Sequence, residues 1–173
     1  MKKKFVLITG GVRSGKTSFS EELAKRAGKE YVYIATTVPL DKEMKERVRK
    51  HKSTRSKIWK VVEEPMDVIR VLKREDKKGK VILLDCLTLL ITNWLMKRYK
   101  ETIIEKKIKE IADFGRDSKA SLIIVSNEVG MGIVPKNKLA RSFRDIQGLC
   151  NQILAKSAKE VYFMAAGMPV RLK

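Results

Sequence analysis

The run Gly10-Gly11-Val12-Arg13-Ser14-Gly15-Lys16-Thr17 sets two glycines four residues apart and follows them with a lysine and a threonine. These residue types at this spacing suit the phosphates of a nucleotide. Glycines let backbone N–H groups turn inward around phosphate oxygens, and the helix that begins here adds the positive end of its dipole. Lys16 has the reach for the β- and γ-phosphates, and the Thr17 hydroxyl is a suitable Mg²⁺ ligand. Asp85 is a second candidate for that metal. It ends the aliphatic run Val81-Ile82-Leu83-Leu84, where a parallel strand delivers its last residue to the ligand crevice. A Gly-rich turn without a ligand, and a buried strand that happens to end in Asp, are the plainer alternatives. The apolar run before the loop and the helical pattern after it favour nucleotide binding.

His51, the single histidine, is the other chemically informative residue. Between Lys42 and Lys60 it is surrounded by nine Lys or Arg and two acids, Glu43 and Glu46. Cations nearby weaken a histidine's hold on its proton, so the imidazole is expected to be neutral near pH 7. A neutral imidazole can attack phosphorus, and the cations would stabilise phosphate charge. The competing reading packs His51 beside Met44 and Val48 on one helix face, and local pattern alone leaves both open.

These residues need elements to place them. Phe5 to Ile8 reads as the first strand. Phe19, Leu23 and Ala27 recur at helical spacing up to Gly28. Tyr31 to Ala35 reads as a strand ending in Thr36-Thr37, and Asp41 as the N-cap of the helix that carries His51. Trp59 to Val62 is a short strand, Pro65 a helix start with Val68, Ile69, Val71 and Leu72 inward, and 75–80 a charged turn. Leu87 to Leu95 and Ile103 to Ala112 are amphipathic helices on either side of a break. Ser121 to Val125 is a strand running into the polar, Gly-containing segment 126–135, a natural functional loop. A long helix over about 137–158 turns Leu139, Phe143, Ile146, Leu149, Ile153 and Leu154 inward, and 161–165 and 170–172 are closing strands. Alternating strands and helices predict an α/β fold with a mostly parallel sheet flanked by helices, an antiparallel arrangement being open to the closing pair. No repeat, low-complexity tract or linker divides residues 1–173, which are expected to form a single domain.

Composition bounds the setting. The 173 residues are 43% hydrophobic and 34% charged, as in a folded globular protein. Cys86 and Cys150 are too few for a disulfide framework and are expected to be buried, reduced thiols in a cytoplasmic protein. Lys2-Lys3-Lys4 before an apolar run has the outline of a signal peptide, but the run is too short and the glycine loop follows at once. No stretch has the length of a membrane span. Formal net charge is +19, which keeps nucleic acid in view as a partner. Against it, aromatic residues make up only 6%, too few for a stacking platform.

Several ordered blocks resemble the bifunctional adenosylcobinamide kinase / adenosylcobinamide-phosphate guanylyltransferase family of cobalamin biosynthesis. They are Ile8 to Thr17 with Arg13-Ser14 inside the loop, Tyr33-Ile34-Ala35-Thr36, Arg47 to Lys52, and Leu84-Asp85-Cys86-Leu87-Thr88 with Asn93. Further blocks are Asn127 to Pro135 and Arg141-Ser142-Phe143-Arg144-Asp145, continuing to Gly148 and Asn151-Gln152. The resemblance runs from the first strand to the last residues. It implies a phosphate-loop NTPase of recombinase-like fold, a homotrimer, and Mg²⁺ with GTP and ATP as substrates. It places the nucleotide phosphates on Gly10 to Thr17 and the rest of the nucleotide against Thr36, Thr37, Val38, Lys52, Ser53, Thr54, Arg55 and Glu63. His51 falls on the histidine that becomes guanylylated. Two departures stand out: Lys50 where some relatives carry a second histidine, and Ser53-Thr54 where relatives often have Asp-Gly.

The resemblance implies two reactions. The γ-phosphoryl of ATP or GTP passes to adenosylcobinamide, with Lys16 and His51 as the catalytic residues of the two halves. GMP then passes from GTP through His51 to adenosylcobinamide phosphate. A monofunctional phosphate-loop kinase for a small metabolite would leave His51 structural. A nucleic-acid-dependent ATPase would bind DNA or RNA with steep salt dependence.

Overall fold

In the computed structural model, the structure describes residues 3–38 and 58–173, together with Glu46 and Arg49, which are helical and exposed. Seven strands and five helices are defined among them. In chain order they are β1 (Phe5–Gly10), α1 (Lys16–Ala27), β2 (Glu30–Ala35), β3 (Trp59–Glu63), α2 (Val68–Arg74), β4 (Lys80–Asp85), α3 (Leu87–Met96), α4 (Glu101–Asp117), β5 (Ser121–Val125), α5 (Lys138–Ser157), β6 (Glu160–Ala165) and β7 (Met168–Arg171). The helix expected to carry His51 falls mostly outside the described residues.

The strands form one sheet in the order β3-β2-β4-β5-β1-β6-β7. All pairings are parallel except β6 with β7, so the closing pair is antiparallel. The three central strands are aliphatic on both faces, as a parallel sheet covered on both sides requires. Alternation sorts them between two cores. Leu7, Ile34, Ile82, Leu84, Leu122 and Ile124 face α2, α3, α4 and α5. Val6, Ile8, Tyr33, Leu83, Ile123 and Val125 face the other way, with Leu23, Ala24 and Ala27 of α1 and with Trp59. On α4 the buried set Ile104, Ile108, Ile111, Ala112 and Gly115 follows a helical stripe.

Two local readings are corrected. Pro65 does not open a helix: Met66 and Asp67 donate their N–H groups to the Glu64 carboxylate at 3.0 and 2.9 Å, and α2 begins at Val68. The competing turn wins because Asn93 and Trp94 of α3 donate to the Pro65 and Met66 carbonyls, which fixes the segment as a bend. Leu139, expected inward, is exposed in the first turn of α5, and the helix meets the core from Phe143 onward.

The charged turn hides an ion cluster. Glu75 is 3% exposed and accepts from Lys80 at 2.8 Å and from the Lys60 and Arg74 side chains. Burial would raise its pKa, but the lysines more than offset that and hold the carboxyl down at about 2. A folded value below the unfolded one makes the contribution full above pH ~4.5 and lost as pH falls toward 2. Glu75→Gln leaves Lys80 buried with only the more distant and exposed Glu30, at 3.8 Å, as counter-charge. We expect it to cost about 3 kcal/mol at pH 7, and the variant's loss relative to wild type to shrink as pH falls to 3. Urea unfolding at the two pH values checks this; equal losses at both would contradict it.

Candidate functional site

The phosphate loop joins β1 to α1, and the β6–β7 hairpin braces it. Gly15 sits at φ +92°, and a Cβ there would lie 3.1 Å from the Gly167 Cα. Gly10, at φ +144°, would bring a Cβ to 2.5 Å from the Met164 carbonyl oxygen. Both positions therefore demand glycine for conformation and for space. The Gly167 N–H also donates to the Ser14 carbonyl at 3.1 Å. Lys16 is buried, and its ammonium donates to the carbonyls of Gly10 at 3.0 Å and Gly11 at 2.5 Å. Burial lowers its pKa from the ordinary 10.5, while the Asp85 charge is among those acting the other way. A buried ammonium held by neutral carbonyls gains most from an anion, which is what a nucleotide's phosphates supply.

Asp85 stands on the same rim as the loop. Since β5 lies between β1 and β4, the carboxylate is two strands, or about 10 Å, from the β1 axis. Tyr33 donates its hydroxyl to Asp85 Oδ2 at 2.6 Å and so orients the group. The Thr36 hydroxyl donates to the Cys86 carbonyl at 2.7 Å and accepts from the Cys86 N–H at 3.0 Å. Thr36 is fully buried, Thr37 half-buried and Val38 exposed. Asn93 donates to the Thr36 and Pro65 carbonyls, tying α3 to the ends of β2 and β3. Glu63 is the last residue of β3, in register with Ala35. The fold thus brings Gly10 to Thr17, Thr36 to Val38, Glu63 and Asp85 to the C-terminal edge of one sheet, where open α/β sheets take their ligands. His51, Lys52, Ser53, Thr54 and Arg55 lie outside the described residues.

Among the described residues no cluster of three or more His, Cys, Asp or Glu side chains could hold a metal. Thr17 and Asp85 offer one hydroxyl and one carboxylate. Such hard oxygen donors fit Mg²⁺ when phosphates and water complete its shell. Burial, followed by the Asp85 charge, pushes the Cys86 thiol up to about 12, and burial does the same for Cys150. Both are free; Cys150 is buried as expected, and Cys86 is half-buried.

At the exit from β5, the segment 126–135 was legible as a functional loop, but the side chains that hold it were not. Ser126, Gln147 and Asn151 form a buried polar knot. The Ser126 hydroxyl donates to Asn151 Oδ1 at 2.6 Å, and Gln147 Nε2 donates to both partners. Asn151 then donates to the Asn127 carbonyl, and Thr88 accepts the Asn127 N–H at 2.9 Å. One residue on, the Glu128 N–H donates to the Gly10 carbonyl at 3.1 Å, the same oxygen that holds Lys16. The available clue was a pair of amides, Gln147 and Asn151, one turn apart on the inward side of an amphipathic helix.

A glycine loop opening a helix, a buried lysine and a strand-end carboxylate on a parallel sheet define a phosphate-loop nucleotide-binding protein. The family model described as cobinamide kinase / cobinamide phosphate guanyltransferase matches residues 6–172, and the chain belongs to that family. It is 36% identical to the bifunctional adenosylcobalamin biosynthesis protein CobU of Escherichia coli, over 97% of this chain and 99% of that protein. It is 37% identical to CobU of Salmonella typhimurium, with the same coverage of both chains, and 36% identical to CobP of Pseudomonas aeruginosa over 96% of each. Among solved structures, a Pyrococcus horikoshii protein aligns with a TM-score of 0.59 at 8% identity, covering 98% of this chain and 86% of that one. The RadB recombinase aligns with a TM-score of 0.52 at 12% identity, covering 92% and 73%. At such identities the likeness is one of fold, and the fold is the recombinase-like one. No helix among the described residues is long and apolar enough to cross a membrane.

Proposed function

We propose that this chain carries out both reactions named by its family: phosphorylation of adenosylcobinamide, then transfer of GMP to the phosphorylated product. The observation that carries the reading is the convergence of the Lys16 cradle and Asp85 on one rim, in a chain matching bifunctional relatives along its whole length. In the first reaction the hydroxyl oxygen of the corrinoid's aminopropanol arm bonds to the γ-phosphorus of ATP or GTP. The bond to the bridging oxygen breaks, the nucleoside diphosphate leaves, and the hydroxyl proton is released to water. Loop N–H groups and Lys16 hold the phosphates in line and take up the charge that develops on them. Thr17 and Asp85 are the ligands we assign to Mg²⁺, which when bound would neutralise phosphate charge.

In the second reaction a His51 nitrogen bonds to the α-phosphorus of GTP, and pyrophosphate leaves. A phosphate oxygen of adenosylcobinamide phosphate then takes the guanylyl group, breaking the P–N bond and releasing His51. Thr36, Thr37, Val38, Lys52, Ser53, Thr54, Arg55 and Glu63 are assigned to the nucleotide. The same family reading makes the protein a homotrimer without a nucleic-acid partner, and two free thiols suit the cytoplasm.

Incubation with α-labelled GTP tests the reading. We expect an acid-labile, alkali-stable label on the protein that adenosylcobinamide phosphate chases into a corrinoid product. A protein that takes no label but phosphorylates adenosylcobinamide would be a simple kinase.

A further inference from the structure

The kinase reaction needs a second substrate beside the nucleotide, and the fold leaves one flank of the phosphate loop for it. The residues assigned to the nucleotide, Thr36 to Val38, Glu63 and Asp85, stand at the ends of β2, β3 and β4. The opposite flank is formed by the C-terminal rims of β5, β1 and β6 and by the start of β7, which are consecutive in the sheet. Apolar side chains stand out from this rim. Val12 of the phosphate loop is 80% exposed, Met131, Ile133 and Val134 of the β5 exit are 79%, 97% and 62% exposed, and Met168 of the hairpin is 70% exposed. From β5 to β7 the rim spans three strand spacings, about 14 Å.

The rim is joined to the phosphate loop on both sides. The Glu128 N–H donates to the Gly10 carbonyl, and the Gly167 N–H to the Ser14 carbonyl. The β5 exit is also held in shape. Gly130 donates to the Glu128 carboxylate at 2.6 Å, Arg144 donates to the Gly130 carbonyl at 2.7 Å, and Arg141 donates to the Pro135 and Lys136 carbonyls. Apolar side chains gathered on one rim held in shape are the kind of surface that marks a binding site.

We infer that this apolar rim, centred on Met131, Ile133 and Val134, is the docking surface for the corrinoid acceptor. The inference rests on the function proposed above and adds the location of its second substrate. A corrinoid presents a broad, methyl-rich face that suits an apolar shelf. Docked there, its pendant hydroxyl approaches the γ-phosphate over Lys16 from the side away from the nucleotide-binding strands. After phosphorylation the same shelf retains the product for the guanylyl transfer.

The test is Ile133→Asp, at a position exposed enough for the chain to fold with the charge in place, with Ile133→Leu as the conservative partner. Equilibrium dialysis of adenosylcobinamide, steady-state kinetics and sedimentation are measured together. Covering one such side chain is worth about tenfold in affinity or more. We therefore expect Ile133→Asp to raise the dissociation constant and KM for adenosylcobinamide about tenfold, at unchanged KM for GTP and unchanged mass. Ile133→Leu is expected to stay near wild type. Unchanged corrinoid binding in Ile133→Asp would overturn the inference, and so would a fall in assembly mass, because the occupant would then be a second copy of this chain. Wild-type protein that fails to phosphorylate adenosylcobinamide at all would instead overturn the function on which the inference stands.

Discussion

His51→Ala is expected to take no acid-labile label from α-labelled GTP and to form no adenosylcobinamide-GDP, while still phosphorylating adenosylcobinamide within a few-fold of wild type. The asymmetry follows from the chemistry of each half. Guanylyl transfer through the enzyme requires a covalent bond to a side-chain nucleophile, and alanine supplies none. Phosphoryl transfer to a hydroxyl needs no such bond and draws on positioning and charge at the phosphate loop. Single-turnover labelling and a coupled kinase assay on one preparation read the two halves separately. Label persisting on the variant would move the nucleophile to another residue. Loss of both activities at unchanged stability would mean that the two reactions share His51.

What the sequence revealed and what it hid divide along a physical line. Features made within one segment were legible. The glycine loop, the aliphatic strand ending in Asp85 and the alternation of strands with amphipathic helices all depend on neighbours a few residues away. The structure has each of them. The closing pair's orientation stood open on the sequence, although a two-residue Ala166-Gly167 connection admits only antiparallel strands; what that turn does not show is where the hairpin packs. Its contact with Ser14 and Gly15 joins residues some 150 positions apart.

The polar interior was hidden for the same reason. Glu75 sits in a stretch of charges that reads as a solvated turn, yet it is buried under Lys60 and Lys80. Ser126, Gln147 and Asn151 bond to one another across two elements, and only the placing of the two amides on the inward side of α5 hinted at it. Pro65 was misread because the bend depends on Asn93 and Trp94 reaching back from α3. Long-range hydrogen bonds overrode a correct local preference.

Lys16→Met carries the second large effect. Methionine keeps most of the lysine's length and volume but has no charge and no donor. The ammonium it replaces is buried and held by the Gly10 and Gly11 carbonyls, so the loop loses a group fixed in place before the nucleotide arrives. Removing one preorganised donor of this kind costs about 10²–10³ in turnover, and we expect that loss in adenosylcobinamide phosphorylation. The informative measurement is the other half-reaction. If the loop also grips the pyrophosphate that leaves when His51 is guanylylated, single-turnover labelling should slow by a comparable factor, because leaving-group charge develops against the same lysine. A variant that loses phosphorylation but labels His51 at the wild-type rate would confine the loop to the kinase reaction and place the pyrophosphate elsewhere. Stability should fall little, since Lys16 contributes a buried charge whose desolvation already opposes folding. A large drop in Tm would mean instead that the Lys16 ammonium, held by the Gly10 and Gly11 carbonyls, fastens the start of α1 to the end of β1.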